Sequence, residues 1–354
     1  MSYALVAVDL DGTLLQWKTQ EERNAETRTT PGISDANKTA LRRVSEAATV
    51  VVATGRGPAS ASRVADEVLA LPCPLVCNNG ACVLSAPDPA AGGRRTVLKA
   101  SFYPKEFVAG VTAVGGTANT LVCVYHPDPE SPSGCAISFC VRPRLLSCLS
   151  CASRLSSALL VLQGGVPADV ALGSINLMVC ADEFPILDEP RLTATQREIV
   201  AGSRNSLHRF ETHAALGASP AAAECWKLLL WAVGPTRETL AEQVEAQVSP
   251  SDFGITVHRP EAMLLEFVPP QTDKASGLAK LCESKGISRE SSLCFGDGGN
   301  DVEMLAWAGL GVAMGNAGDA AKGAATRVSQ WAHHEDAVAR EISAIFGWDE
   351  PDTA

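Results

Sequence analysis

A chain of 354 residues has the length of about two domains and can fold without a metal or disulfide staple. Its composition, 46% hydrophobic and 19% charged, excludes an intrinsically disordered protein. Twenty-nine basic residues against forty acidic ones leave a formal net charge of −11, which argues against nucleic acid as a partner, so any affinity for phosphate must come from a local site.

The N-terminus carries no basic region, and Asp9-Leu10-Asp11 ends the first apolar run after a few residues. No signal peptide is expected from this pattern, and no apolar stretch reaches the roughly 18 residues of a membrane helix. The twelve cysteines therefore read as reduced thiols of a cytoplasmic protein. Cys148 and Cys151 have CxxC spacing, but no second ligand pair completes a zinc site.

Along the chain, Leu5–Val8 is a short apolar run, the pattern of a strand buried on both faces. Residues 34–48 show helical spacing, with Ser34 as N-cap and Leu41, Val44 and Ala48 on one face. A second buried strand, 49–53, ends at Thr54-Gly55-Arg56. A helix at 61–69, a strand at 75–77 and the turn Asn78-Asn79-Gly80 follow. Strand–helix alternation of this kind predicts a doubly wound parallel α/β sheet.

The rhythm changes near residue 85. Up to residue 267, short strand-like runs (120–125, 136–141, 175–179, 264–268) mix with helical stretches such as 222–233, which reads as a separate α+β unit. The α/β rhythm resumes with a helix at 274–285, a strand at 292–295, a helix at 302–308 and a strand at 310–314. The expected organisation is a discontinuous core, 1–85 plus 268–354, with an α+β unit, 86–267, inserted into it.

Three groups of residues carry chemistry. Asp9 and Asp11 follow the first strand directly, and ligands in such sheets sit at the carboxyl ends of strands. Two carboxylates there can divide the work of nucleophile and proton donor. The same pair serves equally as an ordinary turn with Asp as a helix cap. Gly296-Asp297-Gly298-Gly299-Asn300-Asp301 follows another buried strand, and oxygen donors at that density suit Mg²⁺, although a plain Gly/Asn turn looks alike. Thr54, the backbone N–H of Gly55 and Lys274 each sit where a phosphoryl group could be held, and each also reads as a cap or a solvated side chain.

Taken together, these residues occur in the order of a known family. Asp-Leu-Asp-Gly-Thr-Leu-Leu from Asp9, Ala-Thr-Gly-Arg ending at Arg56, Asn-Asn-Gly-Ala from Asn78 and Gly-Asp-Gly-Gly-Asn-Asp-Val-Glu-Met-Leu from Gly296 resemble the haloacid dehalogenase superfamily, and within it the Cof-like sugar phosphatases with a large α+β cap. Gly311-Val-Ala-Met-Gly-Asn-Ala317 resembles the same branch. The resemblance is close over 1–85 and 268–325.

The resemblance implies a Rossmann-like core and a phosphoric monoester hydrolase acting on a small phosphorylated metabolite such as a sugar phosphate. Asp9 would be the nucleophile that forms an aspartyl-phosphate, and Asp11 the general acid and base. Thr54, Gly55, Lys274 and Asn300 would bind the phosphoryl group. Mg²⁺ would be held by Asp9, the Asp11 carbonyl and Asp297, with Asp301 supporting. No obligate protein partner is implied. A phosphomutase of the same superfamily, or an idle binding protein on the same fold, are the alternatives; an intact catalytic set argues against the second.

Two segments depart from that pattern. Where the branch carries Asp-Gly-Val, this chain has Asp336-Ala337-Val338 after His333-His334-Glu335, which questions the local turn. Residues 17–31 form a polar insertion without an assigned role. Substrate selection is expected in the inserted unit, where Arg142, Arg204 and His208 are polar candidates.

Overall fold

The structure, a computed structural model, describes residues 3–15, 32–118, 120–127, 135–140, 206–210, 212–231, 236–261 and 264–349. The insertion 17–31, Arg142, Arg204, the Cys148–Cys151 pair and the strand expected at 175–179 lie outside the described residues. His208 falls in a strand.

Among the described residues the chain opens with strands β1 (Leu5–Val8), β2 (Thr49–Ala53), β3 (Leu75–Cys77), β4 (Cys82–Leu84) and β5 (Val97–Ala100). It continues with β6 (Leu121–Pro127), β7 (Cys135–Cys140), β8 (Ser206–Phe210), β9 (Lys227–Trp231), β10 (Thr256–Glu261) and β11 (Leu264–Val268). It closes with β12 (Ser292–Gly296), β13 (Leu310–Ala313) and β14 (Arg327–Val328). Two compact units divide these elements: Met1–Ser101 with Gln271–Ala354, and Phe102–Pro270.

The first unit is built on an eight-stranded sheet in the order β14-β13-β12-β1-β2-β3-β4-β5. From β14 to β3 every neighbouring pair is parallel, whereas β4 and β5 join antiparallel. The apolar run of β1 is completely buried, because a parallel sheet covered on both faces leaves no polar side. From β1 the chain winds outward through β2 and β3, then returns to build β12, β13 and β14 on the other side. The winding therefore reverses between β1 and β12, and in open α/β sheets the ligand crevice lies outside the carboxyl ends of the strands at that point.

Helix ends follow the cap signals. Ser34 Oγ accepts from the Asn37 N–H at 3.2 Å to start the helix Asp35–Ser45, which buries Leu41 and Val44. That helix stops before Ala48. The helix Lys274–Lys285 starts at an Asp273–Ser276 capping box and ends at Gly286, whose φ of 64° suits glycine. β5 pairs with β4, so this unit runs on to Ser101 rather than stopping at 85, and it resumes at Gln271. The cause is local: Cys77 and Cys82 pair across the tight turn 78–81, and the meander extends the sheet where the sequence suggested a departure from it.

The second unit carries a six-stranded sheet, β10-β11-β9-β6-β7-β8, antiparallel except for β7 with β8. Phe107, Val111, Val122, Leu228, Leu240 and Phe267 belong to its core, onto which the helices Lys105–Ala118 and Arg237–Val248 bring buried faces. The helix expected at 222–233 is not formed among its described residues. Pro220–Ala223 is a short helix, and Lys227–Trp231 is the strand β9, paired on both sides with β6 and β11. A short apolar run fits either element by periodicity, and central sheet pairing decides it.

No helix among the described residues is long and apolar enough to cross a membrane. Cys73, Cys225, Cys282 and Cys294 are buried free thiols, and burial pushes the Cys73 thiol up to about 12.

Candidate active site

β1 and β12 end side by side, in register from Leu5 with Ser292 to Val8 with Phe295. The Asp9 N–H donates to the Phe295 carbonyl at 3.0 Å, so Asp9 leaves the sheet beside Gly296 and Asp297. Gly12 then turns the chain at a φ of +87°. A Cβ at Gly12 would lie 2.3 Å from Asp297 Oδ2, so glycine is required there both by its backbone angle and by the carboxylate packed against it. Gly12→Ala is expected to cost about 1–3 kcal/mol of stability from backbone strain and to displace Asp297. Thermal unfolding and a Mg²⁺ titration check both effects.

Asp9, Asp297 and Asp301 each offer an oxygen within 4.8 Å of the others. Lys274 is completely buried, and its Nζ donates to Asp9 Oδ1 and Asp301 Oδ1, both at 2.6 Å. The helix that starts at Lys274 carries the ammonium to the end of β1. Asp301 Oδ2 accepts the N–H groups of Asp297 at 3.0 Å and Gly298 at 2.9 Å, so Asp301 ties the β12 loop to Lys274. Asp297 Oδ1 accepts from the Thr13 hydroxyl at 3.0 Å. Asn316 Nδ2 donates to the Gly12 carbonyl at 2.9 Å and lies 3.4 Å from Asp297 Oδ2.

Three carboxylates thus face one ammonium. Burial pushes the Asp9 carboxyl well above the usual range; Lys274 pulls it back, and the Asp301 and Asp11 charges raise it again. Burial would lower the Lys274 pKa, but Asp301 and Asp9 hold it above its ordinary value. Burial and the Asp301 charge push Asp297 up to about 6, against the Thr13 hydrogen bond. A cluster of hard oxygen donors short of positive charge is the setting for a divalent cation, and the residues present fit one. Asp9 and Asp297 would contribute the ligand oxygens, while both Asp301 oxygens already accept protein donors.

Around this cluster the structure gathers the other expected residues. Thr54 is buried at the end of β2, with Oγ1 accepting from the Arg56 N–H at 3.1 Å. Asn300 Nδ2 donates to Asn79 Oδ1 at 2.9 Å, and a Cβ at Gly55 would lie 3.1 Å from that same oxygen. Thr54, Gly55, Asn79 and Asn300 are brought together in this way. Asn79 adopts a left-handed φ of 52°, which asparagine tolerates. Asp11 is gripped by both arms of Arg56, Nε to Oδ2 at 2.8 Å and a terminal nitrogen to Oδ1 at 2.7 Å. This fork geometry is the strong form of a carboxylate pair.

Sequence reasoning assigned no role to Thr13, Arg56, Asn79 or Asn316. Each lay inside a recognised motif, but its partner sits in another segment. At the departure from the Asp-Gly-Val pattern, Asp336 takes the left-handed conformation, with a φ of 57°, and Ala337 opens the final helix, Ala337–Phe346. The turn therefore needs no glycine at 337. His333 is half-buried in that turn, and its backbone N–H donates to Asn316 Oδ1 at 2.8 Å.

The model of the haloacid dehalogenase-like hydrolase family matches residues 6–97 and 177–342, more than half of the chain. A 5-amino-6-(5-phospho-D-ribitylamino)uracil phosphatase of Bacillus subtilis (strain 168) is 43% identical over 83 residues, 23% of this chain and 30% of that protein. The match thus spans less than a third of the relative's length. Among solved structures, a subclass IIB sugar phosphatase of the superfamily superposes with a TM-score of 0.58 at 19% identity, covering 97% of this chain and 98% of its own. A haloacid dehalogenase-like hydrolase from Bacteroides thetaiotaomicron gives 0.61 at 22% identity, covering 98% and 100%. The fold, the switch-point carboxylates and the family match agree: the chain belongs to the haloacid dehalogenase-like hydrolases.

Proposed function

We propose that this protein is a Mg²⁺-dependent phosphatase that hydrolyses a small phosphorylated metabolite, a sugar phosphate, through an aspartyl-phosphate. The observation that carries the reading is the cluster of buried Asp9, Lys274 and Asp301 with half-buried Asp297 at the carboxyl ends of β1 and β12. A scaffold has no use for an ammonium shared by two buried carboxylates, given the desolvation this costs. The relatives matched over part of the chain include phosphatases of phosphorylated metabolites, which supports the same substrate class.

In this reading Lys274 holds Asp9 Oδ1, and Oδ2 attacks phosphorus in line with the leaving oxygen. Lys274 screens the repulsion between carboxylate and phosphate. When bound, Mg²⁺ would be held by Asp9, Asp297 and the Asp11 carbonyl and would supply further screening of the phosphoryl oxygens. Thr54, the Gly55 N–H and Asn300 hold the remaining phosphoryl oxygens, and Asn79 fixes the Asn300 amide. Asp11 hands a proton to the departing alcohol and then takes one from the hydrolytic water. Both Asp11 oxygens accept from Arg56, so Asp11 must loosen that fork before it carries a proton. We assign leaving-group selection to the unit Phe102–Pro270.

The test is a panel of phosphorylated metabolites and an aryl phosphate, assayed for inorganic phosphate with Mg²⁺. Phosphate release that stops on chelation and returns with Mg²⁺ is expected. Isomer formation without phosphate release would make the protein a mutase. Absence of turnover on every ester, or activity indifferent to exhaustive chelation, would overturn the reading.

A further inference from the structure

We infer that Asn316 is a positioning residue for the Asp297 carboxylate, and that it sets the affinity of the site for its divalent cation. The inference rests on the metal reading above. Asn316 lies in the short segment after β13, outside the β1 and β12 loops, yet it ties three separate pieces of chain together. Its Nδ2 donates to the Gly12 carbonyl at 2.9 Å and faces Asp297 Oδ2 at 3.4 Å. Its Oδ1 accepts the His333 N–H at 2.8 Å. A backbone N–H can only donate, so the His333 contact fixes which end of the amide carries oxygen. The donor end must then point at Gly12 and Asp297.

Asp297 has little choice of position in consequence. Its Oδ1 is held by the Thr13 hydroxyl, its carboxylate fills the space where a Gly12 Cβ would stand, and Asn316 presents N–H groups along the Oδ2 side. A metal-binding carboxylate held by outer hydrogen bonds binds its ion more tightly, and removing such a partner costs about 10- to 100-fold in affinity. Asn316 touches no reacting atom in this scheme. Its loss should weaken Mg²⁺ binding and leave turnover at saturating Mg²⁺ close to the parent. The 333–336 turn, where this chain departs from its family's pattern, is what holds the amide in place.

Asn316→Ala is tested by calorimetric titration of the full-length protein with Mg²⁺ in the absence of substrate, beside phosphatase assays over a range of Mg²⁺. The expected result is binding weaker by about tenfold or more, a matching rise in the Mg²⁺ needed for half-maximal rate, and an unchanged plateau. Asn316→Ser, which cannot span both contacts, should give the same signature if the alanine variant folds poorly. Asp297→Asn is the control for the underlying reading: if it leaves Mg²⁺ affinity intact, the metal assignment fails. If Asp297→Asn weakens binding but folded Asn316→Ala does not, the positioning role alone fails. A plateau that falls at every Mg²⁺ concentration, or loss of folding in both Asn316 variants, would overturn it in favour of a purely structural clamp.

Discussion

Asp9→Asn is expected to remove turnover, by more than about a thousandfold, while the protein stays folded. The amide keeps the shape of the side chain and an oxygen for Lys274 Nζ, which now lies 2.6 Å from Asp9 Oδ1, but it cannot form the acyl phosphate. The stability readout separates this from simple damage. Burial raises the Asp9 carboxyl well above its value in the unfolded chain. The folded form is therefore favoured below the unfolded pKa, and that advantage is lost as pH rises through the raised folded pKa. Asparagine has no charge to bury. In chelator at neutral pH, Asp9→Asn should unfold at the same temperature as the parent or a higher one. Turnover above about a thousandth of the parent, in protein shown by mass to be free of wild-type chain, would take Asp9 out of the reaction.

The sequence is most legible where burial on both faces writes a continuous apolar run. β1, β2, β12 and β13 fall within a residue or so of the expected strands, and the helix between Asp273 and Gly286 is bracketed by its own caps. Because Asp9, Thr54 and Asp297 each come just after such a strand, reading the strands placed the carboxylates. What stayed hidden depends on pairing between distant segments. Thr13 and Asp297 are 284 positions apart, and Asn316 and Gly12 are 304 apart; no local pattern marks either contact. Arg56 stood in a recognised motif, but its grip on Asp11 exists only because β1 and β2 are neighbours. β9 misled for the opposite reason. Lys-Leu-Leu-Leu-Trp has no alternation to distinguish strand from helix, and its place at the centre of a sheet is decided by β6 and β11.

Lys274→Met should be the most destabilising single change in the site. Methionine fills the space of the lysine stem, so little packing is lost. The charge balance is what changes: Asp9 and Asp301 are left in a buried site without the ammonium that now bonds both at 2.6 Å. Removing one partner of a buried ion pair costs about 3–5 kcal/mol, because the stranded charge remains desolvated. The sign of its pH dependence follows from the same groups. Burial already raises Asp9, and losing Lys274 raises it further. The stability that a protonated Asp9 carboxyl provides is present at low pH and is lost as pH rises through its raised folded pKa. The deficit of Lys274→Met in chelator should therefore be larger at pH 8 than at pH 5. Adding Asp301→Asn to Lys274→Met should recover part of the loss, since one stranded charge is removed, giving a coupling that independent sites would not show. Phosphatase activity should fall in the single variant at every pH, because Asp9 and the phosphate dianion then approach without the cation that screened them. Denaturant unfolding at the two pH values decides it: a variant within about 1 kcal/mol of the parent at pH 8, or a deficit that grows as pH falls, would mean that Lys274 does not neutralise this cluster.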